Sequence, residues 1–417
     1  MTNMARKRQT EKLLMAGIDI GTSKVVCIIG EVSADGVIHV VGIGSHPSHG
    51  LKRGVVVNIE STISSIQRAV EEAELMAGCQ VKSGYTGIAG SHIRGFNSHG
   101  IVAIRDQEVT QTDIDRVIDA ARAVAIPSDQ RILHILPQEF IVDNQGCIRE
   151  PIGMSGVRLE AKVHIVSGAV SSAQNIIKCV ERCDLRVNDI ILQQLASSYA
   201  VLSDDEKELG VCLIDVGGGT TDIAIFTDGA IRYTSVIPIA GDQVTNDIAI
   251  ALRTPTQNAE EIKLKYACAF VDQNSADEAF EVTSIGSRQG RQLNKRALAE
   301  ICEPRYEELF TLVRAEIRRS GFEDLIAAGF VLTGGASLMK GATDLAERVF
   351  QAPVRLGIPE KVTGLVDVVK SPRFATGLGL LLYGHHQESE DNGYGFMSSH
   401  NVKGLWARMK NWFKGNF

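Results

Sequence analysis

The sequence predicts a mixed α/β protein made of two similar lobes, and three observations carry that prediction. A strand–turn–strand–turn–strand pattern over residues 14–45 recurs over residues 211–240, about 200 positions later. Each copy has a glycine-containing first turn that opens with an aspartate, and each is followed by a helical apolar period, at 59–76 and 244–252. A third glycine-rich turn follows an apolar strand at 331–337. With 417 residues, 44% apolar and 22% charged, the chain has an ordinary folded composition and the length for several domains.

The first copy reads as an apolar strand from Leu14, the turn Asp19-Ile20-Gly21-Thr22-Ser23, a strand Val25 to Ile29, a turn at Asp35-Gly36 and a strand Val37 to Ile43. The second reads Val211 to Ile214, then Asp215-Val216-Gly217-Gly218-Gly219-Thr220-Thr221-Asp222, then Ile223 to Phe226, a turn at Asp228-Gly229 and a strand Ala230 to Ile239. A two-residue hairpin needs one glycine for its positive φ, and three in a row exceed that need. Stripped of side chains, such a turn lets backbone N–H groups approach a bulky anion, while Thr22, Ser23, Thr220 and Thr221 add hydroxyl donors. Asp19 and Asp215 would repel a bare phosphate, but fit one approached through a hydrated Mg²⁺. Lys24 would face the same phosphates. Four of these positions have an alternative role: a turn or cap for Asp19 and Asp215, a surface position for Lys24, and a structural cap for Asp222.

The third element, Val331-Leu332-Thr333-Gly334-Gly335-Ala336-Ser337, is expected to run into a helix from Leu338 to Phe350 and to aim amide donors at a ligand. On a predicted helix from Asn258 to Ala267, Glu260 and Lys263 stand three apart on one side. Between the copies, residues 85–166 mix strand-like runs (87–90, 101–104, 140–142, 159–166) with a helix from Gln111 to Ala123. Arg288, Arg291, Lys295 and Arg296 form a basic run, a solvated face unless an acidic partner meets it.

The net charge of −7 (43 cations against 50 acids) argues against a nucleic-acid partner. Eight cysteines occur with no CxxC pair, which predicts reduced, metal-free thiols. Met1 to Lys12 is a basic segment, and the apolar run that follows is too short and too interrupted for a signal sequence. No stretch reaches the ~18–20 apolar residues that span a bilayer. At the other end, residues 385–400 are polar and predict a flexible linker. After it, Val402, Leu405, Trp406, Met409, Trp412 and Phe413 fall on one helical stripe, with Lys403, Arg408, Lys410 and Lys414 around it and no acid. Both tryptophans of the chain lie there, so the segment predicts a helix lying on an anionic membrane surface; the alternative is a helix docked on the core.

The order Asp19-Gly21-Thr22, a helix Gln193 to Leu202, Asp215-Gly217-Gly218-Gly219-Thr220, Gly334-Gly335-Ala336 and Ala375-Thr376-Gly377 resembles the five-part ATP signature of the actin, Hsp70 and sugar-kinase superfamily. That resemblance covers residues 14–384 and implies an actin-like two-lobed ATPase fold. It also implies ATP and Mg²⁺ as cofactors, the first two turns on the β- and γ-phosphates, the third on the adenosine side, and Glu260 and Lys263 near ribose and adenine. Within the superfamily the chain most resembles the FtsA family of bacterial cell-division proteins. The inserted segment from Tyr85 to Val166, the strings Leu51-Lys52-Arg53-Gly54-Val55-Val56 with Asn58-Ile59 and Arg131 to Phe140 with its Leu-Pro-Gln-Glu, and the basic tail carry this narrower likeness.

The expected organisation is then a basic segment 1–12, first-lobe core 13–84, inserted subdomain 85–166, the rest of the first lobe and the second lobe 167–384, linker 385–400 and membrane-targeting helix 401–417. The family resemblance implies self-association into actin-like protofilaments and binding of the FtsZ C-terminal peptide, with the basic run at 288–296 as its candidate surface. It further implies recruitment of downstream division membrane proteins through the inserted subdomain, and a peripheral location on the cytoplasmic face of the inner membrane at the septum. Gln193 matches the glutamine of actin where many bacterial relatives carry Glu-Pro. A glutamine can orient an attacking water but cannot act as a base, so slow or negligible turnover is expected. The competing reading is a soluble sugar-kinase-type phosphotransferase, which leaves the basic tail without a role. A chaperone ATPase would need a peptide-binding domain, and only about thirty residues follow Gly384.

Overall fold

The computed structural model describes residues 13–33, 35–270, 279–282 and 291–392. Its first lobe is a six-stranded sheet in the order Arg186–Leu192, Ser83–Ile88, Leu13–Ile20, Lys24–Val32, Ile38–Pro47, Thr363–Gly364. The glycine-rich turn closes Leu13–Ile20 on Lys24–Val32, with Ile20 opposite Val25. The second lobe repeats this arrangement in the order Ala230–Ile237, Thr221–Thr227, Val211–Val216, Phe330–Thr333, Val354–Leu356. Val216 stands opposite Thr221 and Asp215 opposite Asp222. The central strands of both sheets are buried on both faces, which is why they read as continuous apolar runs instead of alternating ones.

Each lobe has its own apolar core, and the inserted subdomain has a third. That subdomain is a four-stranded antiparallel sheet, Arg94–Ala103, Arg158–Ala169, Gln130–Val142, Gln145–Ile148, with the helix Gln111–Arg122 packed on it. The helices Gln193–Val201 and Ala375–Asn392 lie side by side beneath the first-lobe sheet. They touch backbone to backbone at Gly379, where a Cβ would overlap the Ala196 carbonyl.

Several boundaries differ from the sequence expectations. The helix expected from Leu338 is split into a short 3₁₀ turn Gly335–Leu338 and a helix Ala342–Phe350, because Gly341 between them has φ +77°. The final helix continues through Gly384 to Asn392, eight residues into the stretch expected as linker. Gly384 is tolerated in it because the Tyr85 ring occupies the space a side chain would fill. The tail positions Val402, Lys403, Leu405, Trp406, Arg408, Met409, Lys410, Trp412, Phe413 and Lys414 lie outside the described residues, as does Arg288.

The inserted subdomain also contacts the second lobe through a buried polar junction. His164 meets the Asn97 Oδ1 at 2.7 Å through Nδ1 and the Thr234 hydroxyl at 2.8 Å through Nε2. Gln138 donates to the same Asn97 oxygen at 3.2 Å and to the Ile231 carbonyl at 2.9 Å. Deeper in, the His134 Nε2 accepts the Leu192 N–H at 3.0 Å. Burial pushes both histidines down to about 4. An unfolded chain would take up those protons below pH ~6.5, so the folded state loses stability as pH falls from there toward 4. Between pH 7 and 5 the expected loss is about 2 kcal/mol per histidine. Urea unfolding at the two pH values checks this, with a smaller drop expected for His164→Gln.

Candidate functional site

The two glycine-rich turns face each other across one cavity of about 1200 Å³. Equivalent bonds close them, Gly21 N–H to Lys24 O and Gly217 N–H to Thr220 O, each 3.0 Å. The turns touch across the gap. Ser23 donates to the Asp242 carboxylate at 3.1 Å, and a Cβ on Gly218 would overlap that Ser23 hydroxyl. A Cβ on Gly219 would sit 2.6 Å from the Thr22 hydroxyl and 3.0 Å from the Arg53 Cα. The Thr22 hydroxyl in turn accepts the Gly54 N–H at 3.0 Å. Glycine is therefore required here to let the lobes approach, in addition to exposing amides.

Three carboxylates are buried around these turns: Asp19, Asp215 and Asp222. Ser197 donates to Asp215 at 2.6 Å and Thr376 at 3.3 Å. Gln193 donates to Asp19 at 3.2 Å, and Thr220 donates to Asp222 at 3.0 Å. The second Asp222 oxygen is buried with no partner. Burial pushes Asp19 up to about 7, with Lys24 opposing and Asp215 adding to the rise. Asp222 goes up to about 8 through burial and the neighbouring Asp215 and Asp19. Asp215 is also raised by burial, against its bonds from Ser197 and Thr376. Lys24, donating to the Arg373 carbonyl, is pushed down to about 8 by burial. Such an oxygen-only, under-neutralised set suits a hard cation. Among the described residues no three His, Cys, Asp or Glu side chains converge tightly enough to ligate an ion directly, so the fit is to an ion that keeps its water.

At the other end, Lys263 meets Glu260 at 2.7 Å and donates to the Thr245 hydroxyl at 2.8 Å and the Gly241 carbonyl at 3.2 Å. That ties the helix Thr256–Tyr266 to the start of the helix Gly241–Leu252. Gly334, with φ +85°, packs against the Asp215 carboxylate, and the Tyr306 hydroxyl donates to the Ala336 carbonyl at 2.8 Å.

The cavity wall brings together Asp19, Gly21, Thr22, Ser23, Lys24, Gln193, Asp215, Gly217, Gly218, Gly219, Thr220, Asp222, Glu260, Lys263, Gly334, Gly335 and Ala336. Thr221 is not among them. It is buried in the second lobe, its hydroxyl donating to the Ile239 carbonyl at 2.7 Å, because side chains alternate along a strand and Thr220 and Asp222 take the cleft side. Of the basic run, Lys295 and Arg296 line the outer part of the same cavity, and Arg291 begins the strand Arg291–Asn294. Sequence reasoning did not assign Ser197, Asp242 or Arg373. Ser197 lies one turn after Gln193 on a helix already singled out, whereas the Asp242 contact joins residues 219 positions apart.

Two duplicated lobes closing on a cleft between glycine-rich turns define an actin-like fold. Solved structures agree: the PilM–PilN type IV pilus biogenesis complex superposes with TM-score 0.66 at 16% identity over 90% of this chain and 99% of the other. MreB5 of Spiroplasma citri bound to ADP superposes with TM-score 0.56 at 13% identity, over 91% and 98%. Family models for the cell division protein FtsA and for the SHS2 domain inserted in FtsA match residues 212–379 and 90–167. The cell division protein FtsA of Pseudomonas aeruginosa is 63% identical over 97% of this chain and 98% of its own length. The chain belongs to the FtsA family of cell-division proteins.

Lys24 is the cation that holds the Asp19 pKa down, so Lys24→Met is expected to move it above about 7. Titration of the carboxyl carbon by NMR reads the change, and an unchanged or lowered value contradicts this charge arrangement.

Proposed function

We propose that this chain is an ATP-binding, actin-like adaptor of cell division. It polymerises on the inner face of the cytoplasmic membrane, anchors FtsZ filaments there and recruits later division proteins to the septum. The observation that carries the reading is the pairing of two glycine-rich, carboxylate-bearing turns across one cavity in a chain of this family. Amide and hydroxyl donors from both lobes would hold the β- and γ-phosphates. Asp19 and Asp215 would hold Mg²⁺ through its waters, supplying the positive charge that the buried carboxylates lack. Bound ATP would then set the angle between the lobes, and with it the contact between subunits.

Gln193, donating to Asp19, would orient a water without activating it, so turnover is slow or negligible. The segment 401–417 would lie on the membrane through its apolar stripe and basic residues, with the residues between Asn392 and 401 as its tether. One short anchor binds weakly, and a polymer carries many, so assembly multiplies attachment without new contacts. The inserted subdomain, whose sheet runs from Arg94 to Ala169, would present the surface for later division proteins. The second lobe would take the FtsZ C-terminal peptide, with the basic run that includes Lys295 and Arg296 facing its acidic residues.

Co-sedimentation with anionic vesicles tests the reading on the intact chain, on a chain ending at His400 and on Trp406→Glu, each with and without ATP and Mg²⁺. The intact chain is expected to pellet, more strongly with ATP and with rising protein concentration, and both variants to stay in solution. If the intact chain stays in solution and instead hydrolyses ATP in the presence of a sugar acceptor, it is a phosphotransferase of the same superfamily.

A further inference from the structure

The cavity is charged unevenly along its length. Its inner end sets Asp19, Asp215 and Asp222 against Lys24 and Arg373, while its outer end sets five cations against Glu260 and Asp344. Three of the five have partners: Lys263 lies 2.7 Å from Glu260, Arg296 lies 3.6 Å from Glu300, and Lys295 is engaged as well. Lys265 and Lys340 take part in no ion pair or side-chain hydrogen bond among the described residues, although both line the wall.

The backbone lays the stretch just after Lys265 against Lys340. Cys268 and Lys340 form an isolated parallel bridge, and the Ala269 N–H donates to the Lys340 carbonyl at 2.8 Å. Lys265 stands three residues before Cys268, in the last turn of the helix Thr256–Tyr266. Phe270 supports the same wall, since a Cβ on Gly341 would approach its backbone N at 3.2 Å and the Arg348 guanidinium lies 5.3 Å from its ring centroid. Lys295 enters from a third element, the first turn of the helix Lys295–Ser320.

Nothing in adenosine answers this charge. A nucleoside is neutral, and the amides and hydroxyls that suit a triphosphate sit at the opposite end. The cavity, about 1200 Å³, also exceeds the ~300–1,000 Å³ usual for a small-ligand site. We propose that the outer end of the cleft is a second phosphate site, built by Lys265 and Lys340, that takes a phosphoryl group lying beside the nucleoside end of a bound adenine nucleotide. This rests on the nucleotide reading given above. Two lysines held on one cavity wall raise the local affinity for an anion. The phosphoryl group has two sources: a 3′-phosphate on the nucleotide itself, or a separate polyphosphate bound alongside ATP.

Isothermal titration of the intact chain with Mg²⁺ present tests the site. Three titrants are compared on the wild type and on the double variant Lys265→Gln/Lys340→Gln: ATP, ATP carrying a 3′-phosphate, and tripolyphosphate added after saturation with ATP. The 3′-phosphorylated nucleotide is expected to bind the wild type about tenfold more tightly than ATP, and the variant no more tightly than ATP. Tripolyphosphate that binds the ATP-saturated wild type but not the variant supports the site and assigns it to a separate ion. Equal ATP affinity in the two proteins, with neither anion distinguishing them, overturns the proposal. If ATP fails to bind the wild type, the nucleotide reading falls by itself. Tripolyphosphate titrated into the free proteins then still decides the lysine pair, because loss of binding in the variant upholds it and equal binding refutes it.

Discussion

Burial of Asp19, Asp215 and Asp222 around two facing turns, with Lys24 as the opposing ammonium, is the constraint on which the rest of the molecule depends. Carboxylates placed this way are costly without added positive charge, and the structure makes only partial provision for them. Ser197 and Thr376 satisfy Asp215, Gln193 reaches Asp19, and one oxygen of Asp222 is left over. The helices Gln193–Val201 and Ala375–Asn392 bring the Gln193, Ser197 and Thr376 donors in. Gly379 allows the second helix to lie on the first closely enough for Ser197 and Thr376 to meet, at 3.0 Å, over the same aspartate.

The lobes are held together by contacts at the same place. Ser23 of the first lobe bonds Asp242 of the second, and Gly218 and Gly219 leave room for the Ser23 and Thr22 side chains. Thr22, Ser23, Gly218 and Gly219, which make these lobe-to-lobe contacts, also line the cavity between the turns. The inserted subdomain also bridges the two lobes: it grows from the first, yet its His164 and Gln138 bond Thr234 and Ile231 of the second. That junction is buried and polar, and its partners are few and specific.

Much of this was legible in the chain. The duplication showed because strand period and glycine turns are local signals, and both copies obey them. Helix Ile59–Ala77 was readable from its apolar spacing, with Asn58 capping Ser61 N–H at 3.0 Å and Gly78 ending it at φ +66°. The placement of Thr221 was not, because a run of three hydroxyl and acidic residues does not say where the turn stops and strand alternation begins. The helical stretch past Gly384 was not either, because its stability comes from the Tyr85 ring and neighbouring contacts and not from its own polar composition.

By itself, then, the sequence determined that two glycine-rich turns bearing aspartates would recur on similar lobes, since residues a few positions apart suffice to form each one. Tertiary structure alone decided that the turns oppose each other, that Asp242 reaches Ser23 and Thr376 reaches Asp215, and that Lys265 and Lys340 share a wall. Those contacts join residues far apart in the chain, and their existence depends on how whole sheets pack, which no local pattern encodes.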